Sequence, residues 1–228
     1  MHIVESAVRF AVSVLVALTA FSSVACDGGD DDAATPIPAE QRLLTAGDAP
    51  GTKPDPTANR QTTGVLAQFF AASRYRLIDP DEDEMTTVFQ EAGFVGGGVD
   101  ARLLGETAVP TEPHVFNSYV ELESEQGAKS ILDWLETDST KPCPGSCAVQ
   151  VDTFDVDIED ARGVHRSATA EAIELVGTKD QHPFDSYWVG FTEGSFVYTL
   201  ELWGPPGSVT EEQAQQVASA YHDRLVGS

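Results

Sequence analysis

"DSYWVGFTEGSFVYTLELWG", residues 185–204, alternates in twos on both sides of one glycine. Tyr187, Val189 and Phe191 share a face before Gly194; Phe196, Tyr198, Leu200 and Leu202 share a face after it. Period-two alternation marks a half-buried strand. A glycine between two such runs supplies the positive φ of a tight turn. The stretch therefore predicts an antiparallel hairpin.

Working outward, "HVFNSYVELE" (114–123) places Phe116, Val120 and Leu122 on one strand face. "VDTFDVDIED" (151–160) alternates Phe154, Val156 and Ile158 with Asp155, Asp157 and Glu159, predicting a strand with an acidic outer face. "AIELVG" (172–177) continues the pattern through Ile173 and Leu175. In "GFVGGGVD" (93–100) the glycines fit no nucleotide fingerprint and predict a strand bulge or a close backbone approach.

Four stretches carry helical spacing. "TGVLAQFFAASRY" (63–75) groups Val65, Leu66, Phe69 and Phe70. "DEDEMTTVFQEAGF" (81–94) groups Met85, Val88, Phe89 and Ala92, with Gly93 as the stop. "SEQGAKSILDWLETD" (124–138) sets Ala128, Ile131, Leu132 and Leu135 on one stripe. The last helix opens at Thr210 with Gln213 as a capping box, and buries Ala214, Val217, Ala218, Tyr221 and Leu225. Helices and strands do not alternate as parallel βαβ units would. The prediction is an α+β domain over 61–228, an antiparallel sheet covered on one face by helices.

The amino terminus reads differently. Phe10 to Ala25 carries no charge, Arg9 precedes it, and Ser22, Ser23 and Ala25 close it, as in a secretory signal over residues 1–25. The run is shorter than the roughly 20 residues of a spanning helix. "SVAC" (23–26) resembles a bacterial lipobox, which makes Cys26 the site of lipidation by an acyl tail such as palmitate. Ser23 stands where an aliphatic residue is usual and Glu5 offsets Arg9, which leaves ordinary cleavage or an uncleaved anchor as alternatives. Residues 26–60 are rich in Asp, Ala, Thr, Pro and Gly and read as a lipidated cysteine followed by a disordered tether. A tether of that length reaches roughly 30 Å. Leu43 and Leu44 are its one apolar spot, expected to dock back on the domain.

Three cysteines in an exported chain leave one unpaired. If Cys26 carries lipid, Cys143 and Cys147 remain, in "KPCPGSCAV" (141–149), where two prolines and a glycine bend the chain enough for a local disulfide. The competing readings are a two-thiolate metal site, with His165 or His182 brought in by the fold, or redox work.

The formal net charge is −24, and argues against nucleic acid as a partner and against lying on anionic lipid. Asp79, Asp81 and Asp83 match the first calcium-loop positions, but Glu84 and Gln90 stand where Gly and Glu belong, so no metal is assigned and the acids read as N-terminal helix charges. The chain has no G-x-S-x-G, H-E-x-x-H or P-loop pattern, so no catalytic residue and no cofactor is assigned. His114, His165, His182 and His222 are scattered. Trp188 and Trp203 sit on the opposite parity from the hairpin's apolar face, and are candidate contacts for a ligand or partner unless a helix or loop covers them. Trp134, Tyr187 and Tyr198 join them as aromatics for an apolar or sugar ligand.

The "SVAC" border, the Asp/Gly-rich tether, "LLTAGDAPG" (43–51), "GSFVYTLELWGP" (194–205) and "AQQVASAYHDRL" (214–225) together resemble the exported lipoproteins of actinobacterial envelopes, of sensor-domain or substrate-binding-like type. That resemblance implies a non-catalytic, surface-attached module with no catalytic residues to carry over. The expected function is a membrane-anchored binding or interaction module on the outer face of the cytoplasmic membrane, tied to it by lipid and meeting a protein or small ligand. Two alternatives stand beside it: a carrier of a lipid or other apolar ligand, and an envelope hydrolase.

Overall fold

The computed structural model describes residues 37–56, 60–72, 82–104, 112–141, 149–168 and 183–227. After a 3-10 turn at Ala39–Arg42 come β1 (Lys53–Pro54), β2 (Gln61–Thr63), α1 (Leu66–Ala72), α2 (Glu82–Glu91), β3 (Phe94–Leu103), β4 (His114–Leu122), α3 (Glu125–Thr140), β5 (Val149–Phe154), β6 (Arg162–Ala168), β7 (Phe184–Glu193), β8 (Phe196–Gly204) and α4 (Glu211–Val226). The strands make one sheet in the order β1-β3-β4-β8-β7-β6-β5, with β2 also on β3, and every pairing is antiparallel. The class is α+β, a single domain as the sequence predicts.

The quoted hairpin is β7 and β8. Glu193 faces Phe196 across a two-residue turn whose Gly194 has φ +56°. Its predicted apolar face packs on α4: Val189, Phe191, Tyr198, Leu200 and Leu202 meet Ala214, Val217, Ala218, Tyr221 and Leu225. Thr210 caps α4 as predicted, its hydroxyl accepting from the Gln213 amide at 3.2 Å while its own amide donates to Gln213 Oε1 at 3.0 Å.

α1, α2 and α3 form the helical layer on the other face. There Val99, Val120, Leu122, Val164, Trp188 and Val197 meet Phe69, Phe70, Met85, Phe89, Ala128, Ile131, Leu132 and Leu135. Both faces of the central strands are thus apolar, which explains why β4 is buried at nearly every position. The glycine run lies in β3. The register is irregular between Phe94 and Gly96, a bulge, and a Cβ on Gly97 would sit 2.7 Å from the Phe69 ring. Both features that the triple glycine predicts are present.

Four expectations need correction. The acidic strand ends at Phe154; 155–161 is a turn with Asp160 at φ +56°, because an Asp-rich run favours turns over a ladder. Val156 and Ile158 still pack toward the α4 core from that turn. Val65 precedes α1 and is exposed rather than grouped with Phe69 and Phe70. Helices cover both faces of the sheet, α4 on one and α1, α2 and α3 on the other, where a single covered face is predicted, because the central strands are apolar on both sides. The segment "AIELVG" lies outside the described residues.

The fourth correction concerns the tether. From residue 37 its described part is packed on the domain, and Leu43 and Leu44 are fully buried against α4 and the sheet. Arg224 holds this strap: Nε donates to Asp48 Oδ1 at 2.8 Å, Nη1 to the Gln41 carbonyl at 2.6 Å and Nη2 to the Leu43 carbonyl at 3.1 Å. Tyr221 donates its hydroxyl to the Arg42 carbonyl, and Arg42 donates to Tyr198 at 2.9 Å. Leu43 and Leu44 dock as the sequence predicts; what composition misses is that they and buried Asp48 seat the rest of an otherwise polar segment.

Candidate functional site

Cys26, Cys143, Cys147, Asp79, Asp81 and His182 lie outside the described residues. Trp188 is buried beneath α3, its indole lying across Gly190, where a Cβ would come within 2.5 Å of the ring. Trp203 belongs to a smaller apolar cluster with Ala101, Phe116, Ala168 and Phe184, and stacks on Phe184 at 6.1 Å. Both off-parity tryptophans are buried, Trp188 among α3 residues and Trp203 among strand residues. Trp134 is half-buried with Phe89 at its edge, 6.0 Å away. His114 is buried, stacked on Phe116 at 5.5 Å, with Nε2 3.9 Å from Asp55. His165 stacks on Tyr187 at 4.4 Å and lies 3.6 Å from Asp185. His222 meets Phe191 edge-on. Among the described residues no three His, Cys, Asp or Glu side chains gather as a metal site.

Two polar groups interrupt the apolar layers. Beside Trp188 and Trp203, Arg166 Nη2 donates to Glu201 Oε1 at 2.7 Å, and Ser186 gives its hydroxyl to the same oxygen. Ser118 and Thr199 pair at 2.7 Å on the same face. A serine bound to a carboxylate that an arginine neutralises has no base to activate it.

On the α4 face, Asp100 is buried with Oδ2 3.5 Å from Arg60 and 3.8 Å from Arg102, too far for a hydrogen bond. Burial raises its pKa above the ordinary 3.8, outweighing the two arginine charges. The folded chain therefore keeps this proton to higher pH than the unfolded chain. The carboxyl's contribution to stability is complete below the ordinary aspartate range and is lost as pH rises through the folded value. Asp100→Asn should gain on the wild type between acid and neutral pH in paired urea titrations. A gap that narrows over that range would place the arginine charges ahead of burial.

A cleft of about 390 Å³ opens where α2 ends and β3 begins, lined by Gly64, Leu66, Gln90, Glu91, Gly93, Phe94 and Glu123. Gly93, at φ +81°, turns the chain out of α2, and its carbonyl accepts from the Glu123 amide at 2.9 Å. Glu123 Oε2 lies 3.1 Å from where a Cβ on Gly93 would stand, so a side chain there would press on that glutamate. The α2 last turn has no basic residue and ends on Gln90 and Glu91. Val65 and Val95, next to the lining in sequence, are 51% and 46% exposed. Val95 sits at the β3 bulge, where an extra residue re-aims its side chain. The sequence marks Gly93 as a helix stop, but Glu91 and Glu123 meet only through the pairing of Phe94 with Leu122.

The fold is thus that of an α+β domain built on one antiparallel sheet between helices. It is shared, at a TM-score of 0.53 and 10% identity, with the crystal structure of the extracellular domain of PknH from Mycobacterium tuberculosis. The similarity covers 85% of this chain and 99% of that one. No protein-family model matches the chain, and no curated protein matches its sequence. No described helix is long and apolar enough to cross a membrane.

Proposed function

We propose that the chain is an exported, lipid-anchored binding module of the cell envelope, presenting its α+β domain to a partner or small ligand without catalysing a reaction. The observation that carries this is the fold shared with an extracellular domain over nearly that domain's whole length. The signal-like amino terminus and Cys26 supply the route out and the anchor. Cys143 and Cys147 pair as a local disulfide in that oxidising setting. A carrier would need a cavity between sheet and helices, yet Phe69, Phe89, Ile131 and Leu135 on one side and Tyr198 and Tyr221 on the other fill the described interfaces. A hydrolase of the serine type would need a hydroxyl joined to a free base, and among the described residues Ser186 is joined to a carboxylate already neutralised by Arg166.

The anchor is tested by metabolic labelling with a fatty acid, comparing the native chain with Cys26→Ala. Label on the native chain alone, with the variant released from the membrane fraction, is expected. Equal label on both would reject lipidation at Cys26.

A further inference from the structure

Asp100 and Asn117 stand directly opposite each other on β3 and β4. They are 6% and 4% exposed, beneath the strap and α4. Asp100 Oδ2 and both polar atoms of the Asn117 amide make no hydrogen bond. Val115, Tyr119 and Leu200 flank Asn117 in the apolar cluster, so its amide cannot turn out to bulk solvent. Buried polar atoms without a partner are costly, and native proteins serve nearly all of them through a neighbouring group or an ordered water. The side chains of a directly opposed pair leave the sheet only about 4.5–5.5 Å apart at Cβ. One small molecule can therefore reach both.

The groups around the pair say what kind of molecule. Arg60 and Arg102 bring Nη1 to 3.5 Å and 3.8 Å from Asp100 Oδ2. Gaps of that size between polar groups are ones a water spans. The Tyr221 hydroxyl lies beside the Asn117 amide and gives its proton to the Arg42 carbonyl, which leaves its oxygen to accept. Donors and acceptors are thus mixed: two guanidiniums and Asn117 Nδ2 against Asp100 Oδ2, Asn117 Oδ1 and Tyr221 Oη. A metal cation would meet the guanidiniums, and an anion would meet the carboxylate. A neutral molecule that both donates and accepts matches every side. We infer that Asp100 and Asn117 hold an internal water, which donates to Asp100 Oδ2, shares a hydrogen bond with the Asn117 amide and accepts from Arg60 or Arg102. Those are about the three partners that buried waters usually have. Arg60 also donates to the Glu40 and Leu44 carbonyls, so the water joins the sheet to the strap.

This site goes beyond the binding-module reading and stands whether or not Cys26 carries lipid. The full chain, extracted in neutral detergent, is crystallised to a resolution that shows ordered solvent. One solvent peak is expected within about 2.7–3.2 Å of Asp100 Oδ2, of the Asn117 amide and of one guanidinium. The peak should persist in Asp100→Asn, which keeps an oxygen there, and vanish in Asn117→Leu. In solution, oxygen-17 relaxation dispersion of the water signal should lose the amplitude of one long-lived molecule in Asn117→Leu relative to the native chain. Asp100→Leu serves the same comparison if Asn117→Leu does not fold. The inference is overturned by a direct hydrogen bond between Asp100 and Asn117 with no solvent peak, or by a dispersion amplitude that the leucine variant leaves unchanged. It is equally overturned by a peak that gains anomalous scattering when chloride is exchanged for bromide, which would make the site an anion's.

Discussion

Trp188→Ala is expected to lower the unfolding free energy by about 3–5 kcal/mol, the range for emptying a buried aromatic site. The indole lies between the sheet and α3, packed across Gly190 and among Val164, Leu132 and Val197. Those neighbours belong to different strands and a helix, so they cannot close over the vacancy together. Urea denaturation followed by far-ultraviolet circular dichroism measures the loss without relying on the other two tryptophans. A loss under about 1 kcal/mol would mean that the ring is not a core element and would return it to the surface as a contact. A variant that folds normally but loses a ligand would say the same.

Arg224→Met is expected to cost about 2–4 kcal/mol, below the full range for a broken buried pair because the guanidinium is partly in solvent. Its partner is the more sheltered: the Asp48 side chain is 4% exposed against 25% for Arg224. Removing the arginine leaves that carboxylate without its cation and frees the carbonyls of Gln41 and Leu43. Thr45 continues to donate its amide and hydroxyl to Asp48, which limits the damage. Adding Asp48→Asn should restore part of the loss, since the uncompensated charge goes with it. Equal losses for the single and double variants would assign the strap's hold to the two leucines alone.

What the sequence reveals here is what local periodicity reveals. The β7–β8 hairpin, the α3 stripe, the Thr210–Gln213 cap and the Gly93 stop each depend on residues a few positions apart, and each stands where the pattern puts it. Strand β6 is different. "RGVHRSA" has one large aliphatic residue, and its strand character comes from Tyr187 and Trp188 beside His165 and Val164. The strap's leucines are legible as an apolar spot, but its polar hold is not, for a related reason: Asp48 finds Arg224 at the far end of the chain. The cleft combines both difficulties, because Glu91 and Glu123 belong to separate elements that only sheet register brings together.

The six described arginines each have an acceptor within their own domain: Arg42 on Tyr198, Arg60 on the Leu44 carbonyl, Arg102 on Thr52, Arg162 on Glu136, Arg166 on Glu201 and Arg224 on Asp48. These guanidiniums are tied to internal acceptors, while most of the described Asp and Glu side chains meet the solvent, Asp48, Asp55, Asp100 and Asp138 being the buried ones. The outside of the molecule behaves as a polyanion wrapped in counter-ions. Encounters with a basic protein are then accelerated by long-range attraction and slowed by added electrolyte. Polyanions are repelled by the same field.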